Sequence, residues 1–479
     1  MLANNERCHK VGRIADFDAV GMYNSAMIRM KGFLIGQPEL IPEHMKTVEE
    51  LNKVSGYFVR AKVLKVGKRR AFPVQSYLGD NKRNFTNDLE GKTLYLDDIA
   101  LNDAIEFQQM EFEIIDGYFF NSGFNTRVKQ VHEHLFYQRQ FRKNEIHVID
   151  TSDKETPQTL HTIIPTREQM KEELTRGGVI KQMIKDTQAQ HPTHTVKKVK
   201  NPMQNLYKLI CNSSYGKAGM RPINEDLKFI SNANFEKFVS RHYNWIKDIT
   251  PAENGHGYRV KLTQPIHEHY NRVHIACHIL SVAKRIMNEV MCTGEDNGIE
   301  FFYTDTDSIH MWEKDVKPLG EHFKKKYGRE LIGEMHQQYN IDFDLDGCKD
   351  VHSTEFFGLA KKCYHDTLKG TDKITGEIKH GAHNRMKGVP ERAILNECRK
   401  KKRSCAELYT GMYNGETWMS QPAGKKRAGL CVFDLTKTAE GGNAFNGRLR
   451  ADMTIQRLPK FERGVCFVDT ENTVSADYW

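Results

Sequence analysis

Short apolar runs and turns alternate through the first quarter of the chain, and the period then changes to that of helices. The segment Arg13-Ile14-Ala15-Asp16-Phe17-Asp18-Ala19-Val20-Gly21-Met22-Tyr23-Asn24-Ser25-Ala26-Met27 predicts a strand that turns sharply into a helix. Residues from about 55 to 120, including Gly56-Tyr57-Phe58-Val59-Arg60 and Phe112-Glu113-Ile114-Ile115-Asp116-Gly117-Tyr118, predict further strands. From Thr126 to Lys143 the apolar positions Val128, Val131, Leu135 and Phe136 recur at helical spacing, which predicts one amphipathic helix. A polar stretch follows, with Thr193-His194-Thr195 beside Pro192, and a second helix begins near Pro202. Two helices joined by a long polar excursion predict an arm projecting from the body. A less regular section after residue 217 gives way to a long helix near His269 to Cys292, whose Val273, Ala276, Leu280, Ala283 and Met287 share one face. The apolar run Ile299-Glu300-Phe301-Phe302-Tyr303 then enters a hairpin, and Glu355 to Val389 predict strands turning at Gly370-Thr371-Asp372 and Gly376. The fold class expected is α+β.

Composition changes this picture little. The chain has 479 residues, too many for one core, so two to four lobes are expected. Hydrophobic residues make up 39% against 28% charged, which excludes a disordered tail. Lys and Arg exceed Asp and Glu by 71 to 62, a mildly basic balance that fits a polyanion met by local patches, and equally many metabolic enzymes. The ten Cys include no CxxC pair, which points to reduced thiols in a reducing compartment. No apolar run approaches the roughly twenty residues of a membrane span, and Met1 to Arg7 lacks an apolar signal core, so a soluble protein that is not secreted is expected.

Three constellations carry candidate chemistry. In Tyr303-Thr304-Asp305-Thr306-Asp307-Ser308 two acids alternate at the end of an apolar run and project to one side of a hairpin. They repel unless a cation lies between them, and hard oxygen ligands beside an open position suit Mg²⁺; the alternative is a surface turn with two solvated acids. In Lys208-Leu209-Ile210-Cys211-Asn212-Ser213-Ser214-Tyr215-Gly216, helical spacing puts Lys208, Asn212 and Tyr215 on one face, suited to a triphosphate, a sugar and a base, or else to a solvent-facing Lys with a capping Asn. Asp18 ends a strand whose following turn opens a helix bearing Tyr23, a seat for metal and phosphate together, or an N-cap with a core Tyr. His132-Glu133-His134 and His267-Glu268-His269 invite a zinc site, but no complementary pair has the needed spacing.

Taken in order, Asp18-x-x-Gly21-Met22-Tyr23-Asn24-Ser25, Lys208-x3-Asn212-Ser213-x-Tyr215-Gly216 and Tyr303-x-Asp305-Thr306-Asp307-Ser308 resemble the three polymerase motifs of family B DNA polymerases. Lys362-Cys363-Tyr364 resembles that family's Lys-x-Tyr motif at the primer strand, and Lys387-Gly388-Val389 the segment after it. The resemblance implies a right hand of palm, fingers and thumb, with an antiparallel palm sheet. On that plan, 1–54 is the first part of the palm, 55–125 a palm insertion, 126–216 the fingers helix pair with a long tip, 217–390 the second part of the palm with an insertion at about 217–262, and 391–479 the thumb. The two insertions resemble those of the protein-primed subfamily of phages, adenoviruses, linear plasmids and Polinton-type elements. There one insertion contacts a terminal protein and another encloses the template and displaces a strand; loop growth without a role is the alternative.

The resemblance further implies phosphoryl transfer with two Mg²⁺ ions, or Mn²⁺ in their place, held by Asp18 and Asp307 with Asp305 as a weaker or water-mediated ligand. Lys208 would neutralise the triphosphate, with a second cation from Arg139, Arg142 or Lys143, among which the sequence does not choose. Tyr23 would reject a ribose 2′-hydroxyl, Asn212 and Tyr215 would line the nascent pair, and Lys362, Tyr364, Lys387 and Gly388 would follow the primer-template. The basic runs Arg60 to Arg70 and Arg399 to Arg403 would grip DNA backbone, or would be solvated faces. Implied partners are primer-template DNA, dNTPs, a terminal-protein primer and no membrane, in host cytoplasm or nucleus where a viral or plasmid-like genome replicates. Asn24 stands where many relatives have Pro, and Gly21 where many have Ser. Only seventeen residues precede Asp18. A family exonuclease domain does not fit there, which predicts either a polymerase without proofreading or the polymerase part of a split enzyme served by a separate exonuclease chain. An inert polymerase-like scaffold is the alternative of a different class, disfavoured by the clustered acids. A reverse transcriptase or RNA polymerase is disfavoured by Tyr23 and by the separated acids of Asp305-Thr306-Asp307.

Overall fold

Every strand and helix near the acids is placed by alternation along one long strand, β1, Cys8–Ala19. The computed structural model describes residues 1–415 apart from 80–81, 153–157, 221–224, 253–254, 264–271 and 387–390. Beyond 415 it describes four short paired strands, Trp418–Ser420, Leu435–Lys437, Arg448–Arg450 and Val474–Ser475. Helix α1, Met22–Arg29, follows β1, and the helices α2, Arg127–Lys143, α3, Met203–Gly219, and α4, Val273–Asp296, come later in the chain. The main sheet also contains β2, Phe301–Asp305, β3, Ser308–Trp312, β4, Tyr339–Ile341, β5, Cys348–Ala360, β6, Cys363–Asp372, and β7, Ile378–Met386. All of its pairings are antiparallel, in the order β2-β3-β1-β5-β6-β7, with β4 paired to β1 as well.

β1 is long because it serves three neighbours. Its first half pairs with β5, and its second half lies between β3 and β4. Ala15, Phe17 and Ala19 point to one face, where Ile279, Val282, Ala283, Ile286 and Val290 of α4 bury them. Ile14 faces the other way, into a cluster with Phe302, Tyr303, Phe356 and Tyr364, and Asp16 and Asp18 share its alternation. Gly12 breaks the β5 pairing at a bulge with φ +150°, and a Cβ there would stand 2.7 Å from the Trp312 ring.

Two segments expected to be irregular are folded. Between α2 and α3, Glu145–Asp150 pairs with Gln158–Ile163 and Thr195–Val199, and two helices, Arg167–Arg176 and Val179–Gln190, complete a small unit. Its core joins Ile146, Val148, Met170, Leu174, Ile180 and Val196 to Phe136 and Tyr137 of α2. These apolar positions are spread thinly among charged ones, so no single stretch carries a clear period. The section 225–263 is likewise a three-stranded sheet with a helix, Asn232–His242, whose Phe235 stacks on Tyr258 at 3.8 Å. The strand-rich block around 55–120 forms as expected, with one helix, Asp98–Gln108, added over its sheet.

The basic run Arg60 to Arg70 is mostly spoken for within the chain. Arg60 pairs with Asp116, Lys65 with Glu111, Lys68 and Arg70 with Asp296, and Arg69 with Asp88. Arg70 is only 4% exposed. Lys68 and Arg70 tie the strand block to the end of α4, while the pairs made by Arg60, Lys65 and Arg69 stay within the block. Lys387 and Gly388 lie outside the described residues. Among the described residues, no helix is long and apolar enough to cross a membrane.

Behind the sheet, Glu289 of α4 is 1% exposed and accepts hydrogen bonds from Arg29 and Arg329, with Arg285 at 3.4 Å. This carboxylate fixes the far end of α1, the helix that follows Asp18. Glu289→Ala should destabilise the protein by about 3 kcal/mol, the low end for breaking a buried ion pair, because the arginines keep partial contact with water. Urea unfolding of the variant checks it, and a loss within experimental error would remove Glu289 from that role.

Candidate active site

The antiparallel register opposes Asp18 to Ser308, so the end of β1 meets the tip of the β2–β3 hairpin. The Ala19 N–H donates to the Asp307 carbonyl at 2.7 Å, which ties the residue after one acid to the backbone of the other. The turn is tight. Thr306 adopts φ +63°, a strained value for a β-branched residue, and the Asp307 N–H donates to the Asp305 carbonyl at 2.7 Å.

The acids meet at an electrostatic cost. Burial raises the Asp18 carboxyl to about 8, with Asp307, Asp342 and Asp16 adding repulsion and Lys208 opposing it. Asp307 is raised for the same reason, burial first, with Asp305 and Asp342 contributing and Lys362 opposing. Partial desolvation and then Asp344 lift Asp342, while Lys208 and Lys143 lower it. Asp342 follows β4 directly, and its N–H donates to the Asp16 carbonyl at 2.9 Å. It is a site acid that the sequence reasoning missed. The signal was present, since Asp342-Phe343-Asp344 repeats the acid-x-acid spacing of Asp305-Thr306-Asp307.

Asp305 is turned to another partner. The Lys362 ammonium lies 2.8 Å from its carboxylate, and the Lys362 N–H donates to the Tyr303 hydroxyl at 2.9 Å. Lys362 stands at φ +55° in the turn between β5 and β6, and the Tyr303 and Tyr364 rings are 4.8 Å apart. The Tyr303-to-Asp307 hairpin and the Lys362-Cys363-Tyr364 turn thus form one assembly.

Tyr23 of α1 stacks on Tyr215 of α3, with centroids 4.4 Å apart and planes 4° from parallel. Asn24 is buried: its amide donates to the His132 carbonyl at 3.5 Å, and its Oδ1 lies 2.8 Å from His132 Nδ1. Burial lowers the His132 ring to about 4, so this His is a neutral clamp between α1 and α2. Lys208 and Asn212 lie exposed on α3.

The three candidate cations separate. Arg142 donates to the buried Glu145 at 2.7 Å and is committed there. Arg139 is pushed down by burial, and its Nε has no hydrogen-bond partner. Lys143 is pushed down by burial and then by Arg139, with Glu334 opposing and Lys200 and Lys198 adding to the effect, and it acts on Asp342. Cations crowded against one another near acids make a seat for an anion. Lys198 and Lys200 carried no sequence signal beyond charge.

A second buried acid cluster lies beneath the first. His310, fully buried, stands 3.2 Å from Asp366 and 3.4 Å from Asp16, its register partner on β1. The neighbouring carboxylates raise this imidazole against the opposing effect of its burial, and burial raises Asp16 to about 6. These polar groups occupy what is otherwise the apolar layer of Tyr303, Phe356 and Tyr364.

Comparison with known proteins adds little to this geometry. No family model matches the chain, and no curated protein sequence matches it. Among solved structures, it is similar to phi29 DNA polymerase. The orthorhombic crystal form is 13% identical with a TM-score of 0.47, over 82% of this chain and 53% of that one. The complex with primer-template DNA and incoming nucleotide substrates is 14% identical with a TM-score of 0.49, over 92% and 60%. The chain therefore spans somewhat over half the length of these structures. Such scores describe a loose likeness of arrangement.

Among the described residues, no three His, Cys, Asp or Glu side chains close around one point as a complete metal cage would. The donor set fits a different kind of ion. Asp18 and Asp307 are two half-buried acids with raised pKa values and incomplete compensation, which suits a divalent cation that completes its shell with substrate oxygens. One consequence is measurable without activity. Asp18 binds its proton more tightly folded, at about 8 against an ordinary 3.8, so its contribution to stability is full below about pH 4 and is lost as pH rises through 8. In chelator, Asp18→Asn should therefore melt above the wild type at about pH 8 and lose that advantage at about pH 4. Parallel melting curves at the two pH values would exclude the raised carboxyl.

Proposed function

We propose that this chain is a DNA-templated DNA polymerase of the family B type, extending a primer 3′-hydroxyl or a protein-primer hydroxyl with dNTPs. One observation carries the reading: the Ala19–Asp307 hydrogen bond sets two like-charged, half-buried acids side by side, with Lys208 and Lys143 acting on the acid cluster. Acids so placed have no structural use, whereas nucleotidyl transfer needs them.

Asp18 and Asp307 would hold the metal, with Asp305 kept by Lys362 as an outer member. When bound, Mg²⁺ or Mn²⁺ ions lower the pKa of the attacking hydroxyl and neutralise the triphosphate. Lys208, on the exposed face of α3, would approach the β- and γ-phosphates as a mobile point charge. Lys143 would meet the same phosphates from α2, with Lys198 and Lys200 extending the positive field. Tyr23, its ring held flat by Tyr215, would form the floor under the sugar and leave no room for a 2′-hydroxyl. The Lys362–Tyr364 turn would set the primer end, since it touches the acid hairpin directly. Sequence is read by base pairing, so the protein needs only backbone and shape contacts. The palm comprises the main sheet with α1 and α4, and the fingers comprise α2, α3 and the small unit between them. The units at 56–120 and 225–263 are the palm insertions, and the first is a docking region for a terminal protein.

Primer extension with Mg²⁺ and dNTPs tests the reading. Asp307→Asn and Asp18→Asn should each lower kcat by at least about 10²–10³-fold, the scale of losing a pre-organised group that stabilises transition-state charge, while primer-template binding persists. If both variants bind and extend DNA as the wild type does, the site assignment is wrong. If the wild type binds DNA and never extends it, the chain is an inert scaffold. The two helix-end cations give a finer test. Lys143→Ala should raise KM for dNTPs about tenfold, whereas Arg142→Ala, committed to Glu145, should leave KM unchanged and lower only stability. The reverse pattern would exchange their roles.

A further inference from the structure

Cys398 and Cys405 flank the second basic run, Arg399-Lys400-Lys401-Lys402-Arg403. Cys398 sits in the last turn of the helix Glu391–Lys400, and Cys405 opens the helix Cys405–Tyr413. Two caps placed back to back shorten the link between them. The Arg403 N–H donates to the Cys398 carbonyl at 2.9 Å and the Lys402 N–H to the Arg399 carbonyl at 3.2 Å, the paired bonds of a Schellman ending. Lys402 takes the left-handed position, φ +51°, that glycine usually fills. Ser404 then caps the next helix: its Oγ accepts from the Glu407 N–H at 3.1 Å, and its N–H donates to the Glu407 carboxylate at 2.7 Å. One tight turn remains, and it brings the two sulfurs to 3.8 Å. Cys398 is buried beside Ile394, Leu408 and Tyr409, while Cys405 is half-buried and meets solvent.

Neither sulfur is in a disulfide and the two are in contact, in a turn whose backbone is fixed from both sides. We infer that they form a redox modification site, a dithiol that a low-molecular-weight disulfide such as oxidised glutathione converts to an intramolecular disulfide. The Cys405 thiolate, the more accessible of the two, attacks one sulfur of oxidised glutathione. That S–S bond breaks, a mixed disulfide forms on Cys405, and one glutathione thiolate leaves. Cys398, its proton lost to solvent, attacks the Cys405 sulfur and expels the second glutathione. The protein loses two hydrogens and one glutathione disulfide becomes two thiols. Closing the bond needs the sulfurs to move from 3.8 Å to about 2.05 Å.

The product is a closed ring around the five basic residues, of which Arg399, Lys400, Lys401 and Lys402 are exposed. Under the polymerase reading, this ring would hold a DNA-contacting turn in one shape; the disulfide itself does not depend on that reading. The test incubates the full chain with oxidised glutathione under native conditions, alkylates the remaining thiols and maps the peptides by mass spectrometry. Cys398 and Cys405 should be protected and joined to each other. Cys398→Ser should trap glutathione on Cys405, and Cys405→Ser should leave Cys398 alkylatable after denaturation, with circular dichroism confirming that both variants fold. Glutathione retained on wild-type Cys405 with Cys398 still free would overturn the inference. So would linkage to buried Cys363, or full alkylation of both thiols at a glutathione ratio that oxidises a peptide of residues 398–405. None of these outcomes uses extension activity, so a failure of the polymerase assignment would be seen separately.

Discussion

The repulsion between Asp18 and Asp307 is the constraint on which the arrangement of this molecule turns. Left to themselves, two half-buried carboxylates separate or keep their protons. Here neither can move away, because backbone pairing fixes them: Asp18 is opposed to Ser308, and the carbonyl of Asp307 accepts from Ala19. The sheet can bear that strain because the opposite face of β1 is buried under α4, where Phe17 and Ala19 are almost wholly covered. Burial of one face thus holds in place the charge excess of the other.

That excess is distributed unevenly, and the unevenness defines direction. On the hairpin side Lys362 compensates Asp305, so the outer acid is settled while the inner pair is not. Across the cleft, Lys208 and Lys143 act on Asp342 without a close ion pair to it, and Lys143 is itself crowded by Arg139, Lys198 and Lys200. The acids Asp18, Asp307 and Asp342 thus share one region with lysines that offset their charge only in part.

The sequence made the site more legible than the fold around it. Asp18, Lys208, Tyr215, Asp307 and Lys362 belong to short patterns in which residue type and spacing both carry chemistry, and such patterns survive where periodicity is weak. Asp342 was legible in the same way, since it shares the acid-x-acid spacing. The unit between α2 and α3 was not legible, because Ile146, Met170, Ile180 and Val196 come from four separate elements and meet only in space. The pairing of the run Arg60 to Arg70 was hidden for a related reason: a sequence displays charges but not which of them meet, and Asp296, the partner of Lys68 and Arg70, lies 228 and 226 residues from them.

The helices α2 and α3 are not attached to α1 equally. α2 buries His132, Phe136, Tyr137 and Gln140, and is clamped to α1 by the Asn24–His132 pair. α3 buries only Gln204 and Cys211, exposes Met203, Leu206, Leu209 and Ile210, and meets α1 chiefly through the stack of Tyr215 on Tyr23. An aromatic stack is worth about 1 kcal/mol beyond its burial, less than a buried hydrogen-bonded clamp together with four buried side chains. Asn24, through its pair with His132, binds α1 to α2 and so fixes the helix that follows Asp18.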